Sequence, residues 1–335
     1  MSSPACLYPE TQALTPVLRS MLDCPDLQVV DRQPAVYAST FPMEVVTLRL
    51  PDGPRRLLLK YGGAHTDNVF GHRGGVPYEA AVYREILRHL DLPAPVFFGA
   101  HHDPSGETWL ATEYLEGAER LELASNAEEA VVESARWIGA FHRAVHEEFR
   151  GRPPAFLQQY DADYYDGWLE RAARFAADRY PWLETLRVRF TEVSTALLTA
   201  PATIIHGEYY PKNILVAGGP PMQCRGVATA AAGDSSPLQV YPIDWESAVL
   251  APGEIDLASL TEGWGHETER ACREAYCRAR WPGGPPPHFE RTLLAAGIYL
   301  LLRWTGDRHE WTIGEDAEWQ FGEMHALCRR LAPRR

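Results

Sequence analysis

The chain has 335 residues, 45% of them hydrophobic and 23% charged, and its 45 acidic residues outnumber 32 basic ones for a formal net charge of −13. That length exceeds the size at which one hydrophobic core usually stops growing, so two domains are expected, and the acidic balance excludes a nucleic-acid partner bound through a basic patch. The same surplus of acids suits a cationic small molecule and serves solubility equally well.

No apolar run approaches the ~18 residues of a membrane span, and Met1-Ser2-Ser3-Pro4-Ala5-Cys6 lacks the basic and apolar regions of a signal peptide, so a cytoplasmic location without a membrane partner is expected. The six cysteines are scattered, as in a reduced compartment, and the Cys272 and Cys277 spacing is neither a zinc-knuckle nor a redox Cys-x-x-Cys pattern. Composition leaves both a monomer and a homodimer open.

Residues 27–60 read as β-rich. Val45 to Leu50 is a strand-like run, Pro51-Asp52-Gly53-Pro54 is a turn, and Leu57-Leu58-Leu59-Lys60-Tyr61 is a second strand. Pro77 to Leu90 then reads as a helix, with Ala80, Tyr83, Ile86, Leu87 and Leu90 recurring at spacings of three and four. A lysine at the end of an apolar strand needs a partner, and Glu79, in the first turn of that helix, is the natural counter-ion. Glu85, nearly two turns further on, is the competing acid. Taken singly, Lys60 also reads as an edge-strand gatekeeper and Glu79 as an acid at a helix N-terminus.

His101 and His102 adjoin the turn-rich Asp103-Pro104-Ser105-Gly106 and read as solvent-facing loop residues. Thr108 to Gly117 reads as an apolar strand ending in Glu113, Tyr114 and a glycine. Ala130 to His142 carries helix-spaced apolar residues, with His142 at its end as a packing or capping residue.

The densest cluster of polar residues is His206-Gly207-Glu208-Tyr209-Tyr210-Pro211-Lys212-Asn213-Ile214-Leu215-Val216, followed after an interruption by Tyr241-Pro242-Ile243-Asp244-Trp245-Glu246. An acid stands five residues before an Asn, an apolar strand follows, and a second apolar strand ends in an Asp. Between them, residues 217–239 are rich in Gly, Pro, Ala and Ser and read as a mobile surface loop. Further on, Arg291 to Trp304 reads as a helix with Leu293, Leu294, Gly297, Ile298, Leu301 and Leu302 as its core face.

At these residues the chain resembles the aminoglycoside phosphotransferase and choline kinase-like group of the protein-kinase-like superfamily, whose pattern is His-Gly-Asp, four residues, Asn, a hairpin, then Ile-Asp-Trp or Ile-Asp-Phe. His206, Gly207, Asn213 and Ile243-Asp244-Trp245 match. Glu208 stands where the family usually has Asp. The extra methylene moves the carboxylate by about an ångström, and positioning errors of that size can cost roughly a hundredfold in rate.

The resemblance implies an α+β, protein-kinase-like two-lobed fold: residues 1–113 as a nucleotide-binding lobe with an antiparallel sheet and one key helix, and residues 114–335 as a larger, mainly helical catalytic and acceptor-binding lobe. It implies transfer of the γ-phosphoryl group of ATP, with GTP left open as donor, to a hydroxyl of a small molecule. Asn213 and Asp244 would hold Mg2+, which takes hard oxygen ligands. Glu208 would orient the acceptor hydroxyl and accept its proton. Lys60 would hold the α- and β-phosphates, oriented by Glu79. Ser39 and Thr40, in a glycine-free turn, would contribute hydroxyls and N–H groups to the phosphates, unless that turn only joins strands. Glu113 and Tyr114 would offer backbone atoms to the adenine edge. Asp256 would support the loop at 206–213 by hydrogen bonds, a position that a helix-terminal acid also explains.

Acids and aromatics in the insert Tyr160 to Trp168, and Glu262, Trp264, Glu267 and Trp304 beyond it, would suit an amine-bearing acceptor, or form a solvated face and core aromatics. Two further classes share the motifs: a nucleotide-binding pseudokinase, and an interaction protein retaining only the fold. A protein-kinase function is disfavoured, because no Ala-Pro-Glu signature follows Asp244.

Overall fold

The computed structural model describes residues 8–36, 40–64, 70–217, 238–307, 309 and 317–331. The chain divides into two compact units: Met1–Asp67, His72–Glu119 and Ala217–Ser247 form the first, and Asn68–Gly71, Arg120–Val216 and Ala248–Arg335 form the second.

The first unit is built on an antiparallel sheet. Its strands are β1 (Gln28–Pro34), β2 (Met43–Leu50), β3 (Gly53–Gly62), β4 (Phe97–His102) and β5 (Thr108–Glu113), in the order β1-β2-β3-β5-β4. The turn at Pro51-Asp52 joins β2 to β3, and Gly53 leaves it at φ +128°, a conformation open to glycine and strained for other residues. Because side chains alternate across a strand, Leu57, Leu59 and Tyr61 of β3 share one face, where they pack with Leu14 and Leu18 of helix α1 (Thr11–Met21) and with Val46, Leu48 and Trp109. Lys60 is therefore turned to the other face. Helix α2 (Gly75–Glu85) packs on β3 and β5.

Helix α2 begins two residues before the expected start and gives way after Glu85 to a 3-10 turn at Leu87–His89. Pro77 fits within the first turn because its missing N–H is one that has no intrahelical acceptor in any case. Glu79 consequently sits in the second turn of α2. His101 and His102 lie on β4 rather than in a loop, and His102 Nδ1 is 2.8 Å from Thr108 Oγ1 across the sheet.

After β6 (Glu119–Arg120) comes the mainly helical second unit: α3 (Ala127–Phe149), α4 (Ala162–Ala176), α5 (Trp182–Arg189), α6 (Thr191–Thr199), α7 (Glu254–Thr261), α8 (His266–Arg280), α9 (Phe289–Asp307) and α10 (Glu318–Leu331). Strand β7 (Ala202–Ile205) pairs antiparallel with β10 (Val249–Pro252), and β8 (Ile214–Ala217) follows β7 along the chain. Strand β9 (Gln239–Pro242) belongs to the first unit. Helix α9 packs against α4, α6, α7 and α10, so it is buried almost all round rather than along the single face expected, and Ala295, Ala296, Ile298, Tyr299 and Leu302 are its most enclosed residues. Among the described residues, no helix is long and apolar enough to cross a membrane. The Gly-, Pro- and Ala-rich segment expected as a surface loop falls, at residues 218–237, outside the described residues.

Candidate active site

In the first unit, β3 and α2 bring Lys60 and Glu79 together. Lys60 Nζ donates to Glu79 Oε2 at 2.7 Å and to Asp244 Oδ1 at 2.6 Å. Side-chain exposure is 8% for Lys60 and 5% for Glu79, but 23% for Asp244, so the last carboxylate is the one open to a ligand. Burial works against the Lys60 ammonium, yet Glu79, Asp244 and Glu246 outweigh it and raise its pKa, which keeps the lysine charged. Burial pushes the Glu79 carboxyl up, and Lys60 and the Trp245 N–H, 3.3 Å from Glu79 Oε1, pull it back.

Asp244 follows β9 with φ at +67°, in the left-handed region that Asp tolerates better than most residues. The turn after it is anchored twice. Trp245 Nε1 donates to the Pro242 carbonyl at 3.2 Å, and the Gly74 N–H at the start of α2 donates to the Glu246 carbonyl at 2.8 Å. One helix thus fixes both Glu79 and the segment that presents Asp244. Glu85 pairs instead with its neighbour Arg84 at 3.0 Å.

Thr40 is exposed and adjoins Phe41, whose ring centroid lies 5.7 Å from Lys60 Nζ. Ser39 lies outside the described residues. At the end of β5, the Glu113 N–H donates to the Val96 carbonyl at 2.8 Å and Glu113 Oε2 accepts from the Val96 N–H at 3.1 Å. The Tyr114 ring carries the Arg56 guanidinium at 4.3 Å.

In the second unit, the segment from His206 to Asn213 is held from three helices. Asp256 of α7 accepts the His206 N–H at 2.8 Å and the Gly207 N–H at 3.0 Å, one on each carboxylate oxygen. Tyr209 OH donates to the Ser134 carbonyl of α3 at 3.0 Å. Arg303 of α9 donates through Nη1 to the Gly207 carbonyl at 2.7 Å and through Nη2 to Glu208 Oε1. Gly207 itself sits at φ +81°, where a β-carbon would be strained. Within the loop, Asn213 Nδ2 and the Tyr210 N–H both donate to the Glu208 carbonyl, at 3.0 and 2.8 Å.

Behind this loop lies a buried chain of polar groups. His142 is in the middle of α3, not at a helix end, and its Nε2 is 3.1 Å from Asp256 Oδ2 while Nδ1 is 3.1 Å from Tyr276 OH. Arg280 donates to Tyr276 OH and, at 3.3 Å, to Glu254. Burial lowers the His142 pKa despite Asp256, so the ring is neutral and Nε2–H donates to the carboxylate.

Near Glu208, Trp304 Nε1 donates to Glu262 Oε2 at 3.0 Å, and the rings of Tyr210 and Trp304 lie 5.2 Å apart. Burial pushes the Glu262 carboxyl above its usual range, with the Trp304 N–H opposing. Tyr160 and Tyr164 stack at 3.7 Å, and Tyr164 OH is 3.0 Å from Tyr299 OH. Glu267, in the first turn of α8, is exposed.

The sequence pattern of the Phosphotransferase enzyme family matches residues 50–227, more than half of the 335-residue chain. The chain belongs to that family. No curated protein matches it. The solved structures similar to this phosphotransferase-family chain include the GDP complex of wild-type aminoglycoside 2'-phosphotransferase-IIIa, at 11% identity and a TM-score of 0.56, over 96% of this chain and 99% of that one. Choline kinase from Cryptosporidium parvum Iowa II is similar at 13% identity and a TM-score of 0.56, over 96% of each chain. LicA in complex with AMP is similar at 14% identity and a TM-score of 0.53, over 96% of this chain and 97% of that one. These likenesses establish the fold as protein-kinase-like, α+β with an antiparallel N-terminal sheet and a helical C-terminal part.

Sequence reading of this family member overlooked Arg303, Tyr276 and Arg280. Arg303 did leave a signal. It is the only charged residue between Thr292 and Gly306 of a mostly apolar helix, and a cation buried in such a run demands an anion. Tyr276 and Arg280 left none, because a Tyr and an Arg four apart on a charged helix are unremarkable.

Proposed function

We propose that the chain is an ATP- and Mg2+-dependent phosphotransferase that moves the γ-phosphoryl group to a hydroxyl of a small molecule such as an aminoglycoside, amino alcohol, sugar or nucleoside. The observation that carries this reading is Lys60 held between Glu79 at 2.7 Å and Asp244 at 2.6 Å in a chain of the Phosphotransferase enzyme family. A charged lysine fixed by a buried glutamate is suited to hold the α- and β-phosphates, with Glu79 orienting it. Residues 1–113 are assigned to nucleotide binding, with Ser39 and Thr40 toward the phosphates and the Glu113 carbonyl and Tyr114 backbone toward the base. Residues 114–335 are assigned to catalysis and acceptor binding.

Asp244 and Asn213 are the residues that would hold Mg2+. Their side chains fit it by donor type: a partly exposed carboxylate, and an amide whose Nδ2 is engaged by Glu208 so that Oδ1 is its acceptor end. When bound, the metal neutralises charge on the β- and γ-phosphate oxygens.

Glu208 orients the acceptor hydroxyl. The acceptor oxygen forms a bond to the γ-phosphorus, the bond from that phosphorus to the β,γ-bridging oxygen breaks, ADP leaves, and the hydroxyl proton passes to Glu208. The transition state is loose, so aim matters more than early proton removal. Asp256 holds the two N–H groups preceding Glu208 and keeps the loop in register. Glu262 and Trp304, with Tyr210 beside them, offer an anion and aromatic faces to an amine-bearing acceptor.

The reading is tested by mass-spectrometric detection of phosphorylated product from Mg-ATP and a panel of aminoglycosides, amino alcohols, sugars and nucleosides, with Glu208→Gln alongside. Product from the wild type that is lost in the variant is the expected result. Thermal stabilisation by Mg-ATP without product from any acceptor would point to a nucleotide-binding pseudokinase, and the absence of both product and stabilisation would overturn the kinase reading and leave only the fold.

A further inference from the structure

Burying a guanidinium costs several kcal/mol unless an anion and hydrogen bonds compensate it, and Arg303 is only 8% exposed. What compensates it is specific. One fork of the guanidinium goes to the Gly207 carbonyl at 2.7 Å and the other to the Glu208 carboxylate, so a single rigid group ties the backbone before the acid to the acid's own side chain. The phenols of Tyr210, Tyr299 and Tyr164 lie close enough to favour the cation as well, and Tyr210 and Tyr299 are themselves buried.

We propose that Arg303 is a positioning residue for Glu208: its fork removes the extra rotational freedom of the longer acid and sets the carboxylate's place relative to the Gly207 backbone, so that Glu, and not Asp, is the length this loop requires. The inference rests on the reading of Glu208 as the group that orients the acceptor hydroxyl. An aspartate anchored at the same backbone position would fall about an ångström short of the fork, enough to cost roughly a hundredfold.

The test compares kcat and KM of the full-length wild type, Arg303→Met, Arg303→Lys, Glu208→Asp and the double variant Glu208→Asp/Arg303→Met, with crystal structures of the wild type and Arg303→Met. Arg303→Met is expected to lower kcat roughly 30- to 100-fold while KM for Mg-ATP stays within about twofold. Arg303→Lys keeps the charge but has no planar fork, and recovers part of the loss. Glu208→Asp lowers kcat to a similar degree, and the double variant is no worse than the poorer single one, since both act through one carboxylate's placement. In the crystals, Glu208 has one rotamer in the wild type and several in Arg303→Met.

An Arg303→Met kcat within about threefold of the wild type, or an additive double variant, would overturn the proposal. So would a Glu208 side chain that keeps its single rotamer without the arginine. If Arg303→Met does not fold, Arg303→Lys and Glu208→Asp decide, and wild-type activity in both overturns it. A wild type that phosphorylates no acceptor refutes the kinase reading instead, and the two crystal structures still show whether Arg303 places Glu208.

Discussion

Lys60 and Asp244, 184 positions apart in sequence, meet at 2.6 Å, and the lysine that pairs with Glu79 is thereby also the counter-ion of the carboxylate assigned to Mg2+. The ammonium compensates two carboxylates, one buried and one partly open. On the proposed reading, nucleotide binding would redistribute these contacts, because Lys60 would also face phosphates and Asp244 would also face a metal.

Removing the cation leaves Glu79 buried without its partner. Lys60→Met is expected to cost about 3–5 kcal/mol in urea unfolding and to abolish the rise in Tm on adding Mg-ATP. Adding Glu79→Gln should restore much of the stability and none of the nucleotide response. Wild-type stability in Lys60→Met would show that the ion pair is energetically idle.

Asp256→Asn keeps shape but supplies one acceptor oxygen where the His206 and Gly207 N–H groups use two. One of these buried donors then faces an NH2 group, a penalty of about 1–3 kcal/mol. Equilibrium unfolding should show that loss, and kcat should fall more than KM for Mg-ATP, because the displaced backbone leads directly into Glu208. A variant with lower stability but unchanged kcat would separate the loop from the chemistry.

The buried neutral state of His142 makes stability depend on pH. Burial holds its pKa below the ordinary 6.5, and Arg280 adds to that, against Asp256 and Glu254. In the window below 6.5 the unfolded ring binds more protons than the folded one, so the contribution is full above that pH and is lost as pH falls through the folded-state value. Urea midpoints should hold between about pH 8 and 7 and decline below about 6.5. His142→Gln, which keeps a donor for Asp256 but cannot titrate, should be less stable at pH 8 and flatter below 6.5. An identical slope in wild type and variant would assign the acid sensitivity to other groups.

Glu262 is proposed as an acceptor contact. If its carboxylate receives an ammonium group, Glu262→Gln should raise KM for an amine-bearing acceptor roughly tenfold, the size of one charge-assisted contact, and leave KM for an uncharged sugar or nucleoside unchanged. Because burial raises its pKa, the wild-type KM for the amine should begin to climb on acidification before an exposed glutamate would protonate. Equal effects on charged and uncharged acceptors would remove Glu262 from amine recognition.

Much of the first unit was legible from periodicity. Leu57, Leu59 and Tyr61 alternate with Lys60, so a lysine turned away from their face follows from the pleat alone, whereas the helix packed on that side does not. The helix start was less legible: Gly74 and Gly75 read as a turn and Pro77 as a first helical residue, yet α2 begins at Gly75. The expectation of a packing histidine at 142 agrees with its burial, but its placement at a helix end erred because the apolar face of α3 continues past it to Val145, within a helix that runs to Phe149.

By itself the sequence determined the strand alternation that presents Lys60, the order of the motifs from Lys60 to Asp244, and the family pattern around His206 to Asn213, because each is a matter of spacing within one strand, one helix or one loop. Only the tertiary structure decided that Asp244 shares Lys60 with Glu79, that Asp256 takes its third partner from His142 across 114 positions, and that Arg303 reaches Glu208 across 95. The reason is physical. Periodicity relates residues that share one element's axis, whereas a buried charge finds its partner only where separate elements pack, and no spacing along the chain encodes that meeting.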